Sequence, residues 1–170
     1  MSDRAPWLKT LPAAARFILQ GSAESFTAVA VELGLAADDT PCRALSNEAA
    51  ALLWLGPDER LIIVWGADPA AFGERLERAL AAAPHSLVDV TQRQIGFELK
   101  TAFAEDLLNC GCPQDLSLAQ FPIDKCSRTL YNKTDIVLWR RGSDTFHIEV
   151  WRSFAPYLVG WMQEAAQDLA

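Results

Sequence analysis

The stretch Leu53-Trp54-Leu55-Gly56-Pro57-Asp58-Glu59-Arg60-Leu61-Ile62-Ile63-Val64 constrains the fold more than any other. Two apolar runs flank a Gly-Pro-Asp turn. Pro57 fixes φ, Gly56 relaxes the chain before it, and Asp58 is suited to bonding the local backbone. The stretch reads as two strands joined by a tight connection. A related pattern returns at Leu138-Trp139-Arg140-Arg141-Gly142-Ser143-Asp144-Thr145-Phe146-His147-Ile148-Glu149-Val150. The two Leu-Trp pairs lie 85 positions apart, and a helix-like segment follows each hairpin. The chain reads as internally duplicated.

The flanking elements extend that reading. Arg16 to Gln20 is a strand, and Ser22 a cap for a helix over 23–33, which Gly34 ends. Residues 36–47 read as a loop. Asp68-Pro69 starts a second helix, with Phe72, Leu76, Ala79 and Leu80 on one face. Ser86 to Val90 returns as a strand. This β-α-β-β-α-β order is the ferredoxin-like split arrangement. The second half places strands at 95–100, 126–131, 136–140 and 146–150. A helix over 102–109 is stopped by Gly111. A terminal helix, capped by Ser153, buries Phe154, Leu158, Trp161, Ala165 and Leu169. The expected fold class is α+β, with two ferredoxin-like βαββα-type halves, about 14–90 and 94–169, packed into a single domain over 1–170.

Composition excludes several functions. A net charge of -7 and a pI near 4.8 argue against nonspecific binding to nucleic acid or an anionic membrane, and no Lys/Arg cluster in the sequence offsets that balance. With 51% hydrophobic residues the chain can build a core, yet no apolar run is long enough to span a bilayer. Residues 1–7 lack the basic-then-apolar order of a signal peptide, so a cytoplasmic location is expected.

Candidate chemistry is sparse. The histidines are His85, in a turn, and His147, on a strand beside Glu149 and read as an exposed pair. Cys110, Cys112, Cys126 and Cys42 do not form the paired spacing of a zinc site and read as buried thiols. Asp89, near Thr91 and Arg93, is suited to be a base or a ligand anchor, although such an aspartate more often closes a turn or pairs with a nearby arginine. No glycine-rich nucleotide loop is present. Trp54, Trp139 and Trp161 fit core positions, whereas Trp65 and Trp151 fit a core edge or a partner contact. Catalytic, cofactor-binding and metal residues are therefore each expected to be none.

One set of segments carries a family resemblance: Leu53 to Glu59, Val88-Asp89-Val90-Thr91, Gly111 to Leu116, Phe121-Pro122, Cys126 and Arg152 to Leu158. Their order and spacing, from Ala50 to Trp161, resemble the gamma subunit of heterotetrameric sarcosine oxidase. The family usually has tryptophan where Arg60 stands and serine where Thr91 stands. Arg60 therefore suggests an altered partner surface. The resemblance implies a noncatalytic accessory subunit, similar in fold to the folate-binding portion of aminomethyltransferases. It implies a complex that demethylates sarcosine to glycine and passes the one-carbon unit to tetrahydrofolate. NAD and folate belong to its alpha subunit, FAD and FMN to beta, and zinc to delta. Arg93 and Arg152, beside family segments, are the expected partner contacts. Two other readings stay open: a stand-alone folate-binding protein, with Asp89 as anchor and Trp54 or Trp139 stacking on the pterin, or a subunit of an N-methylglutamate-type dehydrogenase.

Overall fold

The Pro57-Asp58 turn joins two strands, as its residues dictate, but not by the mirror-image turn that most tight hairpins use. Neither residue has positive φ, and the pairing slips by one residue between Trp54 and Gly56. That bulge absorbs the mismatch between an ordinary turn and the strand twist. The computed structural model containing this hairpin describes residues 6–169. Residues 1–5, on which most of the signal-peptide reading rests, lie outside the described residues.

The strands are β1 (Leu8–Thr10), β2 (Ala14–Gly21), β3 (Ala44–Ser46), β4 (Ala50–Gly56), β5 (Glu59–Trp65), β6 (His85–Asp89), β7 (Gln94–Lys100), β8 (Cys126–Tyr131), β9 (Thr134–Arg140) and β10 (Thr145–Trp151). The helices are α1 (Ala23–Glu32), α2 (Pro69–Leu80), α3 (Ala104–Asn109) and α4 (Ala155–Gln167). Contacts divide the chain into two units, one of residues 12–91 and the other of residues 92–170 together with the first eleven.

In the unit of residues 12–91, the antiparallel sheet runs β3-β4-β5-β2-β6. Phe26, Val29 and Ala30 of α1 and Phe72, Leu76 and Leu80 of α2 share a core with Phe17, Leu52 and Ile62. The Asp68 carboxylate accepts a hydrogen bond from the Ala71 amide, so the expected cap of α2 forms. Ser22 occupies the cap position of α1, but its side chain makes no capping bond. Gly34, at φ 68°, closes α1. The Leu35 amide donates to Ala30 and the Gly34 amide to Val31, the paired bonds of a left-handed helix stop. The expected loop over 36–47 hides β3, a three-residue edge strand too short to register as an alternating pattern.

In the second unit the antiparallel sheet runs β1-β7-β10-β9-β8. Read from β8, it repeats the first order element by element, with β1 where β6 stands. The strand β1 is invisible to a local reading, because its partner β7 lies about ninety residues away (Leu8 pairs with Leu99). Leu107 and Leu108 of α3 join Leu158, Met162 and Ala166 of α4 in the core.

Three expectations change here. The buried stripe of α4 is Ala155, Leu158, Met162 and Ala166, and Phe154 and Trp161 are exposed. Its first turn is set by Phe154 at the cap position and Pro156, not by Ser153. Gly111 does not stop α3 by a left-handed φ. A Cβ there would lie 3.0 Å from the Asn132 nitrogen and the Tyr131 ring, so the glycine permits a close approach.

Candidate functional site

Cross-strand pairing places Trp54 opposite Arg60, on the sheet face that carries α1. The Arg60 guanidinium lies 3.9 Å from the Phe26 ring centroid and 5.6 Å from that of Trp54. Its Nη1 donates to the carbonyls of Gly56 at 2.5 Å and Glu59 at 2.9 Å, and Nη2 pairs with Asp39. Arg60 is only 3% exposed, so it forms no partner surface. The strand parity that buries Ile62 and Val64 turns it inward. A cavity of about 200 Å³ lies beside it, between Phe26, Leu45, Leu52 and Asp39. The turn is fastened to the rest of the unit by its main chain, with the Gly21 amide donating to the Asp58 carbonyl.

The second unit repeats this device with the two residues exchanged. Arg140 ends β9 and faces Phe146, whose ring centroid is 4.4 Å from the guanidinium. Arg140 is fully buried. It donates to the Ser143 carbonyl and to Glu105 Oε1, both at 2.7 Å, and to the Leu116 carbonyl. One side chain thereby holds the hairpin turn, α3 and the following loop. The signal that could have found it is parity, since Ile136, Leu138 and Arg140 share one face, taken together with the aromatic Phe146 opposite it. The Leu-Trp echo misleads by one residue. By cross-strand position Trp54 corresponds to Arg140, so Trp139 lies on the opposite sheet face.

On that face His147 and Glu149 are both buried, which corrects the exposed-pair reading. His147 Nε2 lies 2.7 Å from Glu149 Oε1, and its ring centroid is 5.5 Å from that of Trp139. His147 Nδ1 and Trp139 Nε1 are buried without a hydrogen-bond partner. A histidine oriented by a carboxylate is two-thirds of an acid–base triad. The thiol that shares this face, Cys126, is paired with Trp139 rather than with His147. Two strand spacings, on the order of 10 Å, separate it from the imidazole. The pair is a polar insertion in the sheet.

Asp89 serves as turn chemistry. It accepts from the Thr91 amide at 2.8 Å, while Thr91 Oγ1 accepts from the Arg16 amide at 2.9 Å, fixing the end of β6 to β2. Trp139 is 1% exposed and Trp54 half-buried against Arg60, so neither presents a free stacking face. Cys112 and Cys126 are buried as expected, but Cys110 is exposed and Cys42 half-buried. Among the described residues, no group of three or more His, Cys, Asp or Glu side chains gathers around one point.

His85 begins β6 opposite Gly21 and is not in a turn. Its Nδ1–H donates to the Ala83 carbonyl at 2.8 Å, and Nε2 lies 2.9 Å from Glu77. The carbonyl bond first, and then the carboxylate, raise its pKa above the ordinary histidine value. A raised pKa gives stabilisation that is complete below the unfolded value and fades as pH rises through the folded one. Proton NMR titration should place His85 above free histidine, and Glu77→Gln should move it back down.

Arg93 and Arg152 sit together at the start of β7 and the end of β10. Arg152 donates from Nε to the Gln92 carbonyl at 3.2 Å, and its amide donates to the Arg93 carbonyl at 2.8 Å. The Arg93 guanidinium lies 5.3 Å from the Trp151 ring centroid. Both arginines remain exposed.

A family model described as the sarcosine oxidase gamma subunit family matches residues 20–168. The chain is 33% identical to a sarcosine oxidase subunit gamma from Corynebacterium sp. (strain P-1), over 74% of this chain and 61% of that one. It is 28% identical to the corresponding subunit from Arthrobacter sp, over 72% and 60%. The matched stretch thus spans about three-fifths of the length of these curated relatives. Among solved structures, a heterotetrameric sarcosine oxidase from Corynebacterium sp. U-96 superposes with a TM-score of 0.85 at 24% identity, over 95% of this chain and 83% of that one. The glycine cleavage system aminomethyltransferase T from Bartonella henselae gives 0.67 at 14% identity, over 91% and 44%. The α+β architecture expected from the sequence is the one these proteins share. No helix of the described residues is long and apolar enough to cross a membrane.

Proposed function

Because the chain belongs to the sarcosine oxidase gamma subunit family, we propose that it is a noncatalytic accessory subunit of a cytoplasmic heterotetrameric sarcosine oxidase. The complex would oxidise the N-methyl group of sarcosine, releasing glycine. It would pass the one-carbon unit to tetrahydrofolate and reduce oxygen to hydrogen peroxide. The alpha, beta and delta subunits would carry NAD, folate, FAD, FMN and zinc, and this chain none of them. Arg93 and Arg152 would face a partner.

The observation that carries this reading is the use the fold makes of the family segments. Gly56 and Asp58 contribute carbonyls to the hairpin end, Thr91 pins β6, and Arg152 ties the end of β10 to the start of β7. Each helps to hold the framework, and Arg152 does so while remaining exposed. A framework held in this way suits a subunit whose task is to present a surface.

Co-production of the remaining subunits with and without this chain tests the reading. We expect the assembly and its sarcosine-dependent peroxide production to fall severalfold when the chain is left out. Full-yield, fully active oxidase assembled without it would overturn the proposal.

A further inference from the structure

Helix α4 carries two stripes. The inward one, Ala155, Leu158, Met162 and Ala166, enters the core. The other is Phe154, Tyr157, Trp161, Glu164 and Asp168, spaced alternately by three and four residues, which also places them along one face. Phe154 is 44% exposed and Trp161 46%, and Trp151 at the foot of the helix is 45% exposed. The rings form two touching pairs, Trp151 with Phe154 at 6.4 Å and Tyr157 with Trp161 at 6.3 Å between centroids. Exposed aromatic side chains in a contiguous line are the usual anchors of protein interfaces.

The charges along this line are segregated. Arg93, over Trp151, and Arg152 stand at its start. Glu164 and Asp168 stand at its end, about 20 Å away along the helix. Beside Trp161, Glu164 and Asp168, a cavity of about 240 Å³ opens onto Cys110, Gly111 and Tyr131. It offers space for an apolar side chain entering next to the Trp161 ring.

We infer that this stripe docks another subunit of the assembly, an inference that rests on the function proposed above. The partner's complementary strip is apolar along its length, with carboxylates opposite Arg93 and Arg152 and a lysine or arginine opposite Glu164 and Asp168. An apolar side chain of the partner fills the cavity beside Trp161. The charge order fixes the partner's direction, because a reversed strip would set like charges against each other at both ends.

The full-length chain, co-produced with the remaining subunits and recovered through a tag on one of them, provides the test. Phe154→Ser with Trp161→Ser should weaken retention at least tenfold. Glu164→Lys with Asp168→Lys leaves the inward stripe intact and should weaken retention in a salt-dependent way. Val31→Ser, at an exposed position on α1, should change nothing. Circular dichroism melting of each variant identifies any that fail to fold, and the lysine pair then decides. Wild-type retention of both multiple variants would overturn the docking site and leave the accessory-subunit reading standing. Failure of the unmodified chain to be retained would instead overturn that reading. A dimer of this chain alone that both variants abolish would assign the stripe to a second copy and likewise overturn the inference.

Discussion

Replacing Arg140 by alanine is expected to destabilise the protein by about 3–5 kcal/mol, the usual cost of removing one member of a buried ionic network. The guanidinium is fully buried and bonded to Glu105, Ser143 and Leu116 while lying against Phe146. Its loss strands the Leu116 and Ser143 carbonyls and opens space beside an aromatic ring. The thermal midpoint, followed by far-ultraviolet circular dichroism, should drop by roughly 10 °C or more. Arg140→Lys should recover only part of the loss, because an ammonium cannot span three separated acceptors as a planar fork does. A midpoint for Arg140→Ala within about 2 °C of the wild type would contradict this account, since it corresponds to less than 1 kcal/mol.

The second large effect is expected at Glu149. Glu149→Leu leaves His147 buried without the carboxylate at its Nε2. The expected cost is about 3 kcal/mol, read from the urea midpoint at constant slope. The double variant His147→Leu with Glu149→Leu should regain much of that loss, because an apolar pair of similar size has no buried polar group to satisfy. The coupling follows from a double-mutant cycle. Strictly additive losses would show that the imidazole and carboxylate act independently, contrary to their 2.7 Å contact.

Locally encoded features were legible in the sequence. The Gly-Pro-Asp turn, the Asp68-Pro69 helix start and the Gly34 helix stop each depend on residues within a few positions of one another. All three form in the structure. The α+β class and the family followed from those features and from the spaced motifs. Long-range facts were not legible. The partner of β1 lies in another part of the chain, and three residues carry no period. His147 and Glu149 follow an alternation that ordinarily marks a solvated face, yet every residue from Phe146 to Val150 is buried. In α4 the aromatic residues outweigh the smaller Ala155, Met162 and Ala166, so hydrophobicity alone picked the wrong stripe. The burial of Arg60, expected at a partner surface, and of Arg140 escapes the sequence for a related reason. A charged residue at a strand end reads as surface, and only parity together with a facing aromatic ring shows that it turns inward.

The placement of β1 also sets an order of events. The sheet of residues 14–89 takes all its strands from one continuous run, so it can close as soon as that run has left the ribosome. The other sheet borrows its edge, Leu8–Thr10, from residues that precede that run. Those residues must wait through the synthesis of about ninety others before β7 exists to receive them. The first unit therefore gains native pairing early, while the second is limited by a late closure across a long stretch of chain, which slows folding. The strand β1 thus acts as a latch that is cast well before its catch and fastened only once β7 has appeared.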